Sequence, residues 1–364
     1  MKVLHLISGG ETGGSRKHVI TLLSQFPKDT VALAVLQEGA LSQEAREAGI
    51  EVALFKQASR YDVSVLNQVV RYMESEGFDI LHTHGARANL FGLYIASRVK
   101  KKWVTTVHSD PSLDFMKSGI KGTIFTKLHL MALKRMDHYF AVSEVFKSNL
   151  VGMGIPKKQI QTIYNGIHFS QDKAVPVPRQ SLGVSDENFV ITMVARLHPI
   201  KGHELVFQAI KELNNPRVKL LLVGDGPIRR ELEDKVKAFG LLEQVHFLGF
   251  RKDVDRVYAA STIGLLASYS ESFPLALLEA ANQRIPLITT DVGGVKELVT
   301  NGETGWIVPV GEVEQLKKAI QQSYELWMSD DLVSYGERLY HHAASRFSLE
   351  QIYTDTMNTY HAIV

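Results

Sequence analysis

Short runs of aliphatic and β-branched residues alternate with stretches of helical period along nearly the whole chain, and the series runs twice with one break between. Strand-length runs that are each separated from the next by a helix cannot pair as hairpins. They pair in parallel instead, in sheets covered by helices. In the first half, strands are expected near 3–7, 31–36, 51–54, 79–83, 103–108, 138–142 and 161–164. Helices are expected over 15–26, 62–76 and 86–98, where apolar residues recur at three- and four-residue spacing. The polar, proline-bearing stretch Gln171-Asp172-Lys173-Ala174-Val175-Pro176-Val177-Pro178-Arg179 can continue neither element. A second series opens at Phe189-Val190-Ile191-Thr192-Met193-Val194-Ala195 and continues near 218–223, 244–248, 262–266 and 286–290. Beyond about residue 311 the pattern is helical, and Ser348-Leu349-Glu350-Gln351 has the form of a capping box. The fold class is therefore α/β, with a first domain over 1–170, a linker over 171–185, a second domain over 186–346 and a closing helix over 347–364 that returns to the first domain. Open parallel sheets bind ligands at the carboxyl ends of their strands, so a ligand is expected between two such domains.

Composition excludes several other classes. With no cysteine among 364 residues, the chain has no disulfide framework, no thiolate nucleophile and no thiolate-held metal. No apolar run approaches the ~20 residues needed to cross a bilayer. The N-terminus Met1-Lys2-Val3-Leu4-His5-Leu6-Ile7 reads as a first strand and not as a signal peptide, which suits a cytoplasmic location. The net charge of +2 is unevenly spread: residues 1–170 carry +7 and the remainder −5. The excess is concentrated in 91–135, where Arg98, Lys100, Lys101, Lys102, Lys117, Lys121, Lys127, Lys134 and Arg135 face only Asp110 and Asp114. Such a stretch is either a solvated surface or a contact for an anionic membrane or substrate.

The chemistry-bearing residues fall at the expected strand ends. Gly9-Gly10-Glu11-Thr12-Gly13-Gly14-Ser15 places four glycines between the first strand and a helix, where backbone N–H groups can approach an anion. Its spacing is not the G-x-G-x-x-G of dinucleotide-binding folds. His82, His84 and His108 also lie at strand ends. His82 and His84 are read as pointing to opposite faces of their strand and so unsuited to one metal ion, and no metal is expected. A neutral His108 at the end of an apolar strand can bond a ligand hydroxyl or a main-chain carbonyl. In the second half, Arg196 and Lys201 follow the first strand and precede a helix, the placement of a cation pair that holds a diphosphate. Leu221-Leu222-Val223-Gly224-Asp225-Gly226-Pro227 is a strand that ends in a glycine turn. Glu271 and Glu279 flank Ser272-Phe273-Pro274-Leu275-Ala276-Leu277-Leu278, with Glu271 in the loop before a helix and Glu279 two turns along it. Thr290-Asp291-Val292-Gly293-Gly294-Val295 is one more strand-glycine-helix corner.

The Glu271/Glu279 pair, Arg196 with Lys201, the Gly13-Gly14 turn, His108, the Tyr164-Asn165-Gly166-Ile167 strand end and the Gly293-Gly294 corner, in this order and spacing, resemble the retaining GT-B glycosyltransferases of family 4 from end to end. The resemblance implies two Rossmann-like domains that face each other across a cleft, the first binding the acceptor and the second a nucleotide sugar. It implies that Arg196 and Lys201 hold the donor diphosphate, that Glu279 binds the ribose, and that Glu271 and His108 meet the donor sugar. It further implies donor contacts from Gly13, Gly14, Gly224 and the backbone at Phe273, Leu275 and Ala276. The implied partners are a nucleotide-sugar donor, a saccharide or lipid-linked acceptor and an anionic membrane surface through 98–135, with no nucleic acid. No cofactor beyond the co-substrate is implied. His168 and Leu275 depart from the family pattern, which often has an acid and an asparagine at these places. An epimerase on the same architecture and a non-catalytic sugar-binding protein are the alternatives.

Overall fold

The computed structural model describes residues 1–10, 14–59, 62–108, 111 and 119–364. It divides into two compact units, Met1–Gly166 with Leu349–Val364, and Ile167–Ser348. The division falls at Gly166/Ile167, ahead of the proline-bearing stretch read as the linker. Much of that stretch is no free connector: Val177, Leu182 and Val184 are buried in a cluster of the second unit.

The first unit has a seven-stranded sheet built from β1 (Val3–Ile7), β2 (Val31–Val35), β3 (Glu51–Leu54), β4 (Ile80–His84), β5 (Lys102–Val107), β6 (His138–Ala141) and β7 (Ile160–Thr162). Its order is β3-β2-β1-β4-β5-β6-β7, and all pairings are parallel. Because side chains alternate along each strand, Leu4 and Leu6 enter one apolar cluster while Val3 and Ile7 enter another on the opposite face. Helix Leu349–Ile363 covers this second face, placing Ile352 and Tyr360 among Val19, Leu22 and Leu23 of helix Gly14–Leu23. The last sixteen residues therefore complete the core of a domain whose other residues come first in the sequence.

The second unit has a six-stranded parallel sheet, β8 (Phe189–Val194), β9 (Val218–Val223), β10 (Val245–Gly249), β11 (Ile263–Leu266), β12 (Leu287–Thr290) and β13 (Gly305–Val308), in the order β10-β9-β8-β11-β12-β13. β13 is absent from the sequence reading. It is four residues long, bounded by Gly302 and Pro309, and lies at the sheet edge against β12, so it carries too little pattern to be seen in isolation. Its first residue must be small, since a Cβ at Gly305 would lie 2.3 Å from the Leu287 carbonyl oxygen.

Three apolar residues of the basic stretch in the first unit face outward. Among the residues of helix Gly119–Leu133 whose burial is described, the buried ones are Gly122, His129, Ala132 and Leu133, while Ile124, Leu128 and Met131 are exposed at 55%, 39% and 44%. That apolar stripe does not pack on the sheet. Lys127 on the helix and Lys134 and Arg135 just past its end are also exposed.

Because Ile352 is an integral part of the first unit's core, Ile352→Ala should cost about 2–5 kcal/mol, read as a lower urea midpoint for this unit's unfolding; an unchanged midpoint would show that the helix is only docked.

Candidate functional site

In the second unit, the loops after β8, β11 and β12 meet at the carboxyl edge of the sheet. Sheet order changes direction between β8 and β11, which opens a crevice at this edge in parallel folds. The Ser268–Phe273 loop lies between its neighbours: Tyr269 N–H donates to the Ile200 carbonyl (2.8 Å), and the Thr290 hydroxyl donates to the Ser268 carbonyl (2.6 Å). Within this frame Lys201 Nζ forms an ion pair with Glu271 Oε1, and the Ser268 hydroxyl donates to the same carboxylate oxygen at 2.6 Å. The two side chains are mostly enclosed, with 23% of Lys201 and 13% of Glu271 exposed, so each holds the other in place. Arg196 is exposed and has no hydrogen-bond or ion-pair partner among the described residues. The exposed guanidinium and the partly enclosed ammonium come from one loop after β8, and two such cations can attract an anion.

The glycines explain how these loops come so close. A Cβ at Gly202 would sit 2.1 Å from the Ala267 carbonyl oxygen, and one at Gly224 would sit 2.1 Å from that of Ala195. The Gly224 turn is therefore occupied on that side by the protein's own Arg196-bearing loop, which it braces through Leu197 N–H to the Asp225 carbonyl (3.1 Å). Gly293, at φ +51°, would place a Cβ 2.4 Å from the carbonyl oxygens of both Glu271 and Ser272. Gly294 N–H donates to the Ser272 carbonyl at 2.9 Å. The Gly293-Gly294 corner thus supports the Glu271 loop.

Helix Leu275–Asn282 begins directly after Pro274. Its first residues Leu275 and Ala276 present N–H groups beyond the reach of intrahelical acceptors. Phe273 instead turns inward, with its ring 5.0 Å from that of Phe347. Glu279 lies half-buried on the helix, and its carboxylate adds to burial in raising the Tyr258 hydroxyl well above its ordinary pKa.

In the first unit, a cavity of about 470 Å³ at the ends of β1 and β2 is lined by Ser8, Gly10, Gln37, Gln57, Ser59 and Arg87. Gly14 opens helix Gly14–Leu23, whereas Gly13 and Lys117 lie outside the described residues. His108 follows β5 and is half-buried.

The reading of His82 and His84 is corrected here. Residues two apart on a strand share a face, and the two rings stack with centroids 4.5 Å apart. Together with His5, opposite His82 on β1, they bring ring nitrogens within 4.8 Å of one another. One Asp-x-Asp triplet is also present, Asp253-Val254-Asp255, so freedom from metal does not follow from sequence alone. Arg251 clamps the Asp253 carboxylate with bonds of 3.0 and 2.6 Å, which neutralises it.

Sequence reasoning missed Ser268, His5, His18, Thr106 and Tyr360. The two-residue period could have united His82 with His84; no local pattern joins Tyr360 to them.

Residues 12–171 match the model of Glycosyltransferase Family 4, and 176–339 match that of Glycosyl transferases group 1. N-acetyl-alpha-D-glucosaminyl L-malate synthase of Bacillus anthracis is 30% identical over 315 residues, covering 77% of this chain and 79% of that protein. UDP-Gal:alpha-D-GlcNAc-diphosphoundecaprenol alpha-1,3-galactosyltransferase of Escherichia coli is 26% identical over 272 residues, 71% of this chain and 70% of that one. Anabaena HepE, solved in complex with UDP, superimposes with a TM-score of 0.88 over 100% of both chains at 23% identity. The lipopolysaccharide outer core galactosyltransferase WaaB, in its apo form, gives 0.79 over 100% of both at 18% identity. The protein is a glycosyltransferase of the GT-B fold. It belongs to the family 4, group 1 glycosyltransferases.

Burial keeps His5, His18, His82 and His84 of the first unit neutral. It lowers His5 to about 3 and His18 to about 4, and it holds His82 and His84 well below the ordinary value, with neighbouring histidines adding to the effect. Each gains a proton only when the unit unfolds. Stability contributed by their neutrality is full above about pH 6.5 and is lost as pH falls toward 3–4, at up to roughly 1.4 kcal/mol per pH unit per histidine. The first unit should therefore unfold on mild acidification with a steep pH dependence, read by urea melts between pH 7 and 5; a midpoint independent of pH there would contradict the neutral cluster.

Proposed function

We propose that the protein is a retaining, metal-independent glycosyltransferase that moves a sugar from a uridine diphosphate donor to a hydroxyl of a saccharide or lipid-linked acceptor in cell-surface polysaccharide or glycolipid assembly. The observation that carries this reading is the exposed Arg196, unpartnered among the described residues, on the same loop after β8 as Lys201, whose ion pair with Glu271 joins the loops after β8 and β11. The choice of donor is supported by the UDP in the HepE structure and by the UDP-Gal in the name of the E. coli relative. Retention is supported by the alpha-linked sugars in the names of both curated relatives.

The bond to break joins sugar C1 to a diphosphate oxygen. Arg196 and Lys201 stabilise the charge that develops on that oxygen, which is the task a metal ion would otherwise perform. Glu271 fixes Lys201 in the free enzyme and accepts hydrogen bonds from sugar hydroxyls in the complex. Glu279 accepts from the ribose hydroxyls. The N–H groups of Leu275 and Ala276 and the N-terminus of their helix face the donor. His108 bonds a donor-sugar hydroxyl. The acceptor hydroxyl enters on the face the diphosphate leaves, and its proton passes to the departing phosphate oxygen, so no protein nucleophile is required. The cavity whose lining includes Gln37, Gln57 and Arg87 suits the acceptor. A 2-epimerase would turn over without an acceptor, and a binding protein would not turn over at all.

Incubation with a panel of nucleotide sugars and acceptors, scoring nucleoside diphosphate release and the anomeric proton of the product, tests the proposal. Turnover should depend on acceptor, persist in excess chelator and give the donor's anomeric configuration. Arg196→Ala and Lys201→Ala should each lower turnover by about 10²–10³ without loss of fold. An inverted product, or wild-type rates in both variants, would refute it.

Membrane attachment is the second part of the reading. Ile124, Leu128 and Met131, exposed beside Lys127, Lys134 and Arg135, suit the headgroup layer of an anionic leaflet on the cytoplasmic side, where each basic residue is worth roughly 1 kcal/mol. The protein should pellet with phosphatidylserine vesicles at low salt and not with neutral ones. Reversal of Lys127, Lys134 and Arg135 to Glu should abolish this, and equal pelleting with both lipids would leave the patch a plain surface.

A further inference from the structure

One face of the first unit's sheet holds a chain of buried polar groups that sugar transfer itself does not call for. Tyr360, from the last helix, lies with its hydroxyl 2.5 Å from His82 Nδ1 and 3.4 Å from His5 Nε2. His82 Nε2 is 2.7 Å from the Thr106 hydroxyl. His5 Nδ1 is 2.9 Å from His84 Nε2, and His84 Nδ1 is 3.3 Å from His108 Nε2. His5, His82, His84, Thr106 and Tyr360 are all buried. The line therefore runs without interruption from the C-terminal helix to the half-buried imidazole at the end of β5.

The proton positions along this line follow from its ends. Each neutral imidazole carries one N–H and one acceptor nitrogen. The Thr106 hydroxyl has His82 Nε2 as its one hydrogen-bond partner among the described residues, so its hydrogen goes there, and His82 carries its own proton on Nδ1. His82 then donates to the Tyr360 oxygen, which leaves the phenolic hydrogen for His5 Nε2. His5 donates from Nδ1 to His84 Nε2, and His84 from Nδ1 to His108 Nε2. The opposite polarity would leave the Thr106 hydrogen buried without an acceptor, an arrangement folded proteins avoid.

We infer that Thr106 and Tyr360, acting through His82, His5 and His84, position His108 as its Nδ1–H tautomer, so that the ring meets the donor sugar as a hydrogen-bond donor of fixed polarity. The inference rests on the placement of His108 at the sugar proposed above. Tyr360 is a positioning residue, which gives the C-terminal helix a second task beside covering the core. A metal ion is a poorer occupant of the same cluster. Its ligands must aim their in-plane lone pairs at one point, whereas the rings of His5, His82 and His84 are stacked within 12–29° of parallel and both nitrogens of His82 are already bonded.

Long-range ¹H–¹⁵N spectra of the full-length protein, labelled at histidine, read which ring nitrogen bears hydrogen. In the free wild-type protein His5, His82, His84 and His108 should all be protonated on Nδ1. Tyr360→Phe and Thr106→Val should leave His108 a mixture of tautomers with the fold intact by thermal melting, and Thr106→Ser should restore the single form. In the transfer assay Tyr360→Phe should lower kcat/KM about five- to tenfold, the worth of one neutral hydrogen bond. Protonation of wild-type His108 on Nε2, or an unchanged tautomer in a folded Tyr360→Phe protein, would overturn the inference. So would one equivalent of Zn²⁺ shifting the resonances of His5, His82 and His84 together. Because the tautomer is measured without substrate, a fully active His108→Ala protein would refute only the placement at the sugar, and the wiring would stand or fall separately.

Discussion

Every strand pairing within the two sheets is parallel, and the chemistry of the molecule depends on that constraint. Parallel pairing requires each strand to run the same way, so a helix must carry the chain back before the next strand begins. All loops that follow strands then gather at one edge. Arg196, Lys201, Glu271 and the Gly293-Gly294 corner are separated by up to about a hundred residues in sequence, yet they share that edge because they follow β8, β11 and β12.

Gathering the loops would not by itself hold their side chains in place. Backbone packed against backbone does so, at contacts that only a residue without a Cβ permits. Gly202 lets the Lys201 loop rest on Ala267, Gly224 lets the β9 turn brace the Arg196 loop, and Gly293 lets the next corner support Glu271. The ion pair between Lys201 and Glu271, with Ser268 on the same oxygen, is positioned by these contacts. Its two charges are mostly enclosed and close together, which keeps the ammonium oriented. Arg196 remains exposed and supplies the unneutralised charge.

The first unit follows a different logic. A ladder of histidines occupies a sheet face where aliphatic residues would ordinarily sit, and burial keeps the rings uncharged. Uncharged rings can be buried at tolerable cost because each finds a partner, because His5, His82 and His84 stack on one another, and because His82 stacks on Phe140. Neutrality is also what gives each ring one donor and one acceptor, the property that lets polarity pass from one to the next. The same unit closes with a helix contributed by the end of the chain, so Tyr360 reaches His82 across 278 residues of sequence.

Much of this was legible in the sequence. Strand alternation with helical period determines the parallel α/β class, since hydrophobic periodicity is a local property. The order and spacing of the glycine corners, cations and paired glutamates resemble the family 4 glycosyltransferases, and backbone approach and anion binding explain why glycines and cations stand at those strand ends. The four-residue β13 was not legible, because edge strands bury little and carry little pattern. Whether Ile124, Leu128 and Met131 face the sheet or the solvent was decided by tertiary packing, which buried Gly122, His129, Ala132 and Leu133 of that helix in their place. The partners of His82 were likewise settled only by folding. Sequence could have placed His82 and His84 on one face by the two-residue period, but the approach of His5 from β1 and Tyr360 from the last helix depends on strand order and helix docking, which no local segment encodes.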